Sequence, residues 1–306
     1  MDICQNKLLI PARLKPGDTI GIAAPASPFD HNLFQRGIDT LESMGFRIHV
    51  PEDLFQSEGY LAGSDEHRAG LVNRLFAEPD INAIFCAKGG FGSIRILSRV
   101  DYDLIGKNPK IFVGHSDISA LISSMYSRCG LVTFHGPLIT TLPDAPQATR
   151  EAMIAAMSTD RRIEISPRHA ITLRSGSARG PVCGGNLTTL CHLTGTSFEP
   201  DLKNHLVVLE DRGEVGYRID RMLSHMKLAG CLDDLAGLVL GDFTDCGPIE
   251  EIHRIFMNIF EHEDIPIVAG FEFGHGKQNI TVPMGIVADL DADNQVLSFH
   301  QAATMG

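Results

Sequence analysis

No tryptophan occurs among the 306 residues, so stacking on a broad ring would fall to Phe or Tyr. No CxxC pair occurs either. The seven cysteines (Cys4, Cys86, Cys129, Cys183, Cys191, Cys231 and Cys246) are odd in number and widely spaced. That pattern argues against a disulfide framework or a zinc ribbon and predicts reduced, mostly buried thiols. HExxH and other zinc spacings are missing. No apolar run approaches the roughly 20 residues that a membrane-spanning helix needs. Residues 1–18 have no apolar h-region and no small-residue cleavage site, so a secretory signal is not expected there. The expectation is a cytoplasmic protein with no membrane partner. Basic residues are outnumbered, 26 Lys and Arg against 38 Asp and Glu, for a net charge of −12. The one tight basic pair, Arg161-Arg162, is too short for a patch, and no nucleic-acid partner is expected.

What is present fits a globular chain: 43% apolar and 21% charged residues, long enough for one large domain or two. The first half alternates. Apolar runs at residues 19–24, 46–50, 81–87, 110–113 and 131–134 read as strands. Helical spacing covers 31–44, 65–76 (with Ser64 as N-cap) and about 118–126. Strands separated by helices imply a parallel sheet with right-handed crossovers, whose ligands bind beyond the carboxyl ends of the strands. A helix is expected near 150–157. Residues 174–180, small and polar, read as a linker. The second half shows shorter strands at 205–210, 235–241, 266–269, 285–290 and 295–299, with helices at 217–228 and 249–260. The expected division is an α/β domain over 1–145, a linker over 146–180 and a second domain over 181–306.

Residues 110–121 run from an apolar strand through Gly114-His115-Ser116-Asp117 into a helix. Such a turn lifts the Ser116 hydroxyl onto the sheet edge and aims the first helical N–H groups at whatever it attacks. The G-x-S-x-G pattern is matched only in part, because Ile118 holds its last position. A helix N-cap role for Ser116 stays open. Lys88-Gly89-Gly90-Phe91-Gly92-Ser93 follows another strand. It fits neither a P-loop nor G-x-G-x-x-G, since position 95 is Arg95. An oxyanion or carboxylate cradle beside Ser116 is preferred to a plain turn.

A serine nucleophile needs a base and an orienting group. Of thirteen histidines, His275 stands out between Gly274 and Gly276, with His115 and His135 as competitors. Glu210 ends the run HLVVLE, with Asp211 and Glu214 close by; a solvated turn stays open for this stretch. Asp289, Asp291 and Asp293 resemble the start of an EF-hand. Asn294 stands where its glycine belongs and His300 where its glutamate belongs, so the segment reads as a hairpin turn.

Eight short segments, in order, resemble the LD-carboxypeptidase (muramoyltetrapeptide carboxypeptidase) family of serine peptidases from about Leu14 to about Phe299. They are residues 14–18 (LKPGD), 89–92 (GGFG), 114–117 (GHSD), 135–137 (HGP) and 184–187 (GGNL). The last three are 209–211 (LED), 217–221 (YRIDR) and 274–276 (GHG) with Pro283. The resemblance implies a Ser116–His275–Glu210 triad and an oxyanion hole from the N–H groups of Gly90 and Asp117. It implies a flavodoxin-like or class I glutamine amidotransferase-like N-terminal sheet domain with a smaller β-rich C-terminal domain. It also implies a murein peptide substrate, a homodimer, and chemistry without a metal or cofactor. Lys88 departs from an arginine common before the glycines, which puts a substrate contact from that side chain in doubt. Three alternatives remain: a self-immunity peptidase of the same family acting on a peptidyl-nucleotide antibiotic, another hydrolase such as an esterase, and a non-catalytic carboxylate- or phosphate-binding protein.

Overall fold

The computed structural model describes residues 7–306. Cys4 and the start of the segment read for a leader lie outside the described residues. The strands of the first half are β1 (Thr19–Ala23), β2 (Arg47–His49), β3 (Ala83–Cys86), β4 (Ile111–Gly114) and β5 (Thr133–His135). Those of the second half are β6 (Glu164–Ile165), β7 (Ile171–Arg174), β8 (Ser177–Asn186), β9 (Leu206–Arg212) and β10 (Gly237–Thr244). After them come β11 (Ile267–Ala269), β12 (Val282–Met284), β13 (Val287–Asp291) and β14 (Val296–Phe299). The helices are α1 (His31–Ser43), α2 (Asp65–Ala77), α3 (Ser93–Ile96), α4 (Tyr102–Lys107) and α5 (Ser119–Cys129). They continue with α6 (Gln147–Met157), α7 (Leu187–Cys191), α8 (Gly216–Leu228) and α9 (Ile249–Ile259).

Among the described residues the strands form two sheets. The first has the order β12-β5-β4-β3-β1-β2, in which β1 to β5 are all parallel. Its strands are wholly apolar where they are central: Ile20, Ile22, Ile84, Phe85, Phe112 and Val113 are fully buried. That is the pattern of a parallel sheet covered by helices on both faces. The order 2-1-3-4-5 reverses direction between β1 and β3, and this switch point is where such sheets open a crevice. Ser64 caps α2 as expected, accepting the His67 N–H at 3.2 Å. The α/β reading with a parallel first sheet and a strand-rich second half is therefore borne out.

The second sheet has the order β6-β14-β13-β8-β9-β10-β11-β7. Its centre, β8 to β11, is again parallel. β13 and β14 form the antiparallel hairpin read from the sequence, and Asp291 accepts the N–H groups of Asp293 and Asn294 at 3.1 and 3.0 Å in its turn. The linker expected over residues 146–180 is instead regular structure, carrying α6, β6 and β7. Residues 174–180 are not an open linker: Arg174 ends β7, Gly176 turns the chain at φ +122°, and β8 starts at Ser177. The two sheets interlock, because β12, from the second half of the chain, pairs antiparallel with β5 of the first sheet.

Candidate active site

β4 delivers the chain to Ser116 through Gly114, where a side chain would run into Ile118. Ser116 itself sits at φ +63°, the left-handed region that non-glycine residues rarely occupy. It opens a short 3-10 turn, Ser116–Ile118, that leads into α5. Neither the turn nor α5 has a side-chain N-cap bond, so the serine is not spent as a cap. Strain of this kind, worth about 1–3 kcal/mol, persists where the surroundings enforce it and gathers at working sites.

The glycine loop after β3 lies directly against this turn. A Cβ on Gly89 would fall 2.8 Å from Ser116 Cβ and 3.1 Å from its Oγ. Gly90 has φ +103°, and a Cβ there would strike Ser27. Two further bonds hold the loop. Phe91 N–H donates to Ser27 Oγ at 3.1 Å, and Ser93 N–H donates to Asp117 Oδ2 at 2.7 Å. The second joins the loop to the residue after Ser116. Burial pushes the Asp117 carboxyl upward, opposed by its bonds from Ser93 and Gly92. Beneath lies Arg68, a fully buried arginine on α2. Its guanidinium donates to the carbonyls of Gly92 (2.8 Å) and Gly63 (3.2 Å), to Pro25 O, and to Asp65. No sequence signal marked Arg68, because a charged residue on a helix reads as a solvated face. Lys88, whose substrate contact was in doubt, donates to Pro28 O at 3.2 Å.

His275 comes from the loop after β11, and Glu210 from the middle of β9. Nδ1 of His275 lies 2.6 Å from Glu210 Oε2, and the carboxylate is fully buried. Burial pulls the His275 ring downward, but the hydrogen bond and charge of Glu210 outweigh it, and the net displacement is upward. For Glu210 burial pushes upward, and the hydrogen bond and charge of His275 turn the balance downward. The flanking glycines are required by contact. A Cβ on Gly274, at φ +105°, would overlap Glu210, and one on Gly276 would overlap Asp242. Asn279 fixes the loop: its Oδ1 accepts Gly274 N–H at 3.0 Å, and its own N–H donates to Thr149 Oγ1 of α6 at 3.0 Å.

Of the competitors, Asp211, Glu214 and His115 are committed elsewhere. Asp211 accepts from Asn186 Nδ2 (3.0 Å) and from the Thr188 N–H and hydroxyl (2.9 and 2.7 Å). Glu214 reaches Arg218 at 3.4 Å. His115 Nδ1 lies 3.0 Å from Gly136 O and 3.3 Å from Asn279 Nδ2; the shorter contact fits an N–H donated to the carbonyl. Burial holds the His115 ring neutral, down to about 3. His135 is buried behind Glu210.

Ser116, Gly90, Asp117 and His275 line one cavity of about 430 Å³, together with Asn186 and Arg212. A second cavity of about 350 Å³ meets the first at His275 and Arg212. The structure thus brings all five residues singled out from the sequence to one place. Glu210 stands behind His275, and the other four face the cavity.

A parallel sheet with a serine at a left-handed strand-to-helix turn, in one cavity with an imidazole bound to a buried carboxylate, is an arrangement suited to chemistry on acyl groups. The chain belongs to the LD-carboxypeptidase family of peptidases. The profile of that family's N-terminal domain matches residues 20–136, and that of its C-terminal domain matches residues 179–290. A probable murein peptide carboxypeptidase of Bacillus subtilis (strain 168) is 36% identical, over 97% of this chain and 96% of its own. The microcin C7 self-immunity protein MccF of Escherichia coli is 30% identical, over 97% of both chains. Among solved structures, a muramoyltetrapeptide carboxypeptidase from Oxalobacter formigenes superposes with a TM-score of 0.80 at 28% identity, covering 92% of this chain and 97% of that one.

Proposed function

We propose that this protein is a serine carboxypeptidase that hydrolyses the L,D-amide bond of murein tetrapeptides and releases their terminal D-alanine. The observation that carries the reading is the 2.6 Å contact between His275 and buried Glu210, in a cavity that also holds Ser116 at its strained turn. In this mechanism Nε2 of His275 takes the Ser116 proton as Oγ attacks the carbonyl of the L-centre. Glu210 holds the proton on Nδ1 and stabilises the imidazolium that forms. The N–H groups of Gly90 and Asp117 receive the oxyanion, each worth about 3 kcal/mol in the transition state. Asp117 is in the first turn, where no preceding carbonyl takes its N–H. His275 then protonates the departing D-alanine, and water on the same base hydrolyses the acyl-enzyme. Arg212, 60% exposed at the junction of the two cavities and 3.5 Å from Asp245, would in this reading meet the carboxylate that a carboxypeptidase substrate carries.

The test is mass spectrometry after incubation with a purified murein tetrapeptide. Loss of one alanine residue and appearance of free D-alanine support the reading; an unchanged tetrapeptide at enzyme-level concentrations rejects it. A second substrate class has one specific observation in its favour. Phe91, at the cavity mouth, and Tyr60 are both exposed, with ring centroids 5.8 Å apart, and could stack on a nucleobase. Running a peptidyl-nucleotide beside the tetrapeptide separates the two.

Among the described residues no helix is long and apolar enough to cross a membrane. We place the activity in the cytoplasm, in peptidoglycan recycling, and expect a homodimer from the family likeness. Sedimentation equilibrium and cell fractionation test those two statements.

A further inference from the structure

The buried side of Glu210 is chemically unfinished. Oε2 is engaged by His275, but among the described residues Oε1 has no hydrogen-bond partner, and neither do Nδ1 and Nε2 of His135. Both side chains are fully buried. Unpaired polar atoms of this kind are rare in native proteins and cost about 1–3 kcal/mol each, more for a charged group. The orphans face each other: His135 Nε2 lies 3.9 Å from Glu210 Oε1. An N–H···O bond spans about 2.9 Å, so a closure of about 1 Å joins them.

We propose that His135 is a positioning residue for the reaction, a neutral imidazole that donates its Nε2–H to Glu210 Oε1 and so locks the carboxylate that orients His275. The proposal rests on the reading of Ser116, His275 and Glu210 given above and adds a fourth side chain to it. The opposite tautomer would set two lone pairs against each other in a dry place. The groups around the His135 ring are consistent with neutrality. His115 lies 5.9 Å away from the end of β4, Phe273 stands edge-on at 5.8 Å, and Glu210 approaches from β9. Burial lowers the ring's value, the charge of Glu210 opposes this and the charge of His275 adds to it, which leaves the ring at about 4. Neutrality is functional here. A lysine or arginine at this place would neutralise Glu210 and weaken its hold on the His275 imidazolium. A neutral donor fixes the carboxylate without cancelling its charge. The site is reached from β5, whose last residue is His135, so the strand that pairs with β12 also supports the carboxylate from the second sheet.

Two measurements test this. The first is nitrogen-15 NMR of the ring nitrogens in the histidine-labelled wild-type protein, which needs neither turnover nor a variant. The expected result is a neutral His135 with pyrrole-type Nε2 and pyridine-type Nδ1 from pH 8 down to about 5. A proton on Nδ1, or an imidazolium at pH 7, overturns the proposal whatever the substrate turns out to be. The second compares His135→Gln with His135→Leu. Glutamine carries its amide nitrogen as many bonds from Cα as Nε2. The leucine variant should lose about 10- to 100-fold in kcat with KM unchanged, the rate equivalent of a hydrogen bond to a charged group. Glutamine should restore most of that loss. Equal losses in the two folded variants, or a leucine variant with kcat within about twofold of wild type, overturn it. If neither variant folds, the NMR result decides. If the wild type releases no D-alanine, the function fails while the NMR result still judges His135.

Discussion

At the scale of single residues, the site depends on backbone positions that only certain residues tolerate. Ser116 holds φ +63° with a side chain, and Gly274 holds φ +105° against Glu210. Gly274→Ala therefore meets both an unfavourable backbone region and the Glu210 carboxylate. The expected cost is about 2–4 kcal/mol of stability, measured by urea unfolding, with a larger proportional loss of activity as Glu210 is displaced. Glu210→Gln removes the charge behind His275 and can set the wrong tautomer. It should lower kcat by about 10³- to 10⁴-fold while the fold persists, checked by steady-state kinetics beside circular dichroism. The serine and the histidine were legible in the sequence because one follows the end of a strand and the other lies between glycines; the glutamate, in the middle of β9, was singled out from its neighbours only by the family resemblance. The reason for the glycines was not legible. They admit two carboxylates against the backbone rather than simply leaving the imidazole room.

At the scale of elements, the glycine loop is placed by side chains that lie far from it in sequence. Arg68 on α2 ties Gly92, Gly63 and Pro25 together, and Asp117 ties Ser93 to the serine turn. Arg68→Met leaves several carbonyls and Asp65 without their buried donor. Asp65 keeps its bonds from Arg95, so the cost falls on the carbonyls: about 2–4 kcal/mol of stability, with kcat lowered more than KM is raised if the glycine loop supplies the proposed oxyanion donor; calorimetry and kinetics read the two effects. Strands with continuous apolar runs, such as β3 and β4, were readable from the sequence. β8 was not. Its stretch SARGPVCGGN carries one β-branched residue, three glycines and a proline. It is a strand because β13 and β9 pair with it on either side, so tertiary contacts override weak local preference. Arg68 was invisible for the same kind of reason: its burial comes from loops that fold over it.

At the scale of the whole molecule, the serine comes from the first sheet, the glutamate from the second and the histidine from a loop between β11 and β12. The interlocking of the sheets through β12 therefore holds the chemistry together. In the proposed mechanism the His275–Glu210 pair also sets the pH dependence, because His275 would have to be neutral to accept the serine proton, and its net displacement is upward. The acid limb of kcat/KM should accordingly lie above the ordinary histidine value of about 6.5. The pair's contribution to stability has two edges. The histidine part is present at low pH and is lost as pH rises through the raised His275 value. The glutamate part is lost as pH falls through the lowered Glu210 value. An acid limb at or below pH 6 in kcat/KM would contradict this coupling. The most direct test of the central claim is the rate of D-alanine release from a murein tetrapeptide by Ser116→Ala, with its fold verified by circular dichroism. The account predicts a kcat lower by about 10⁴-fold or more; a folded variant that works within tenfold of the wild type would contradict it.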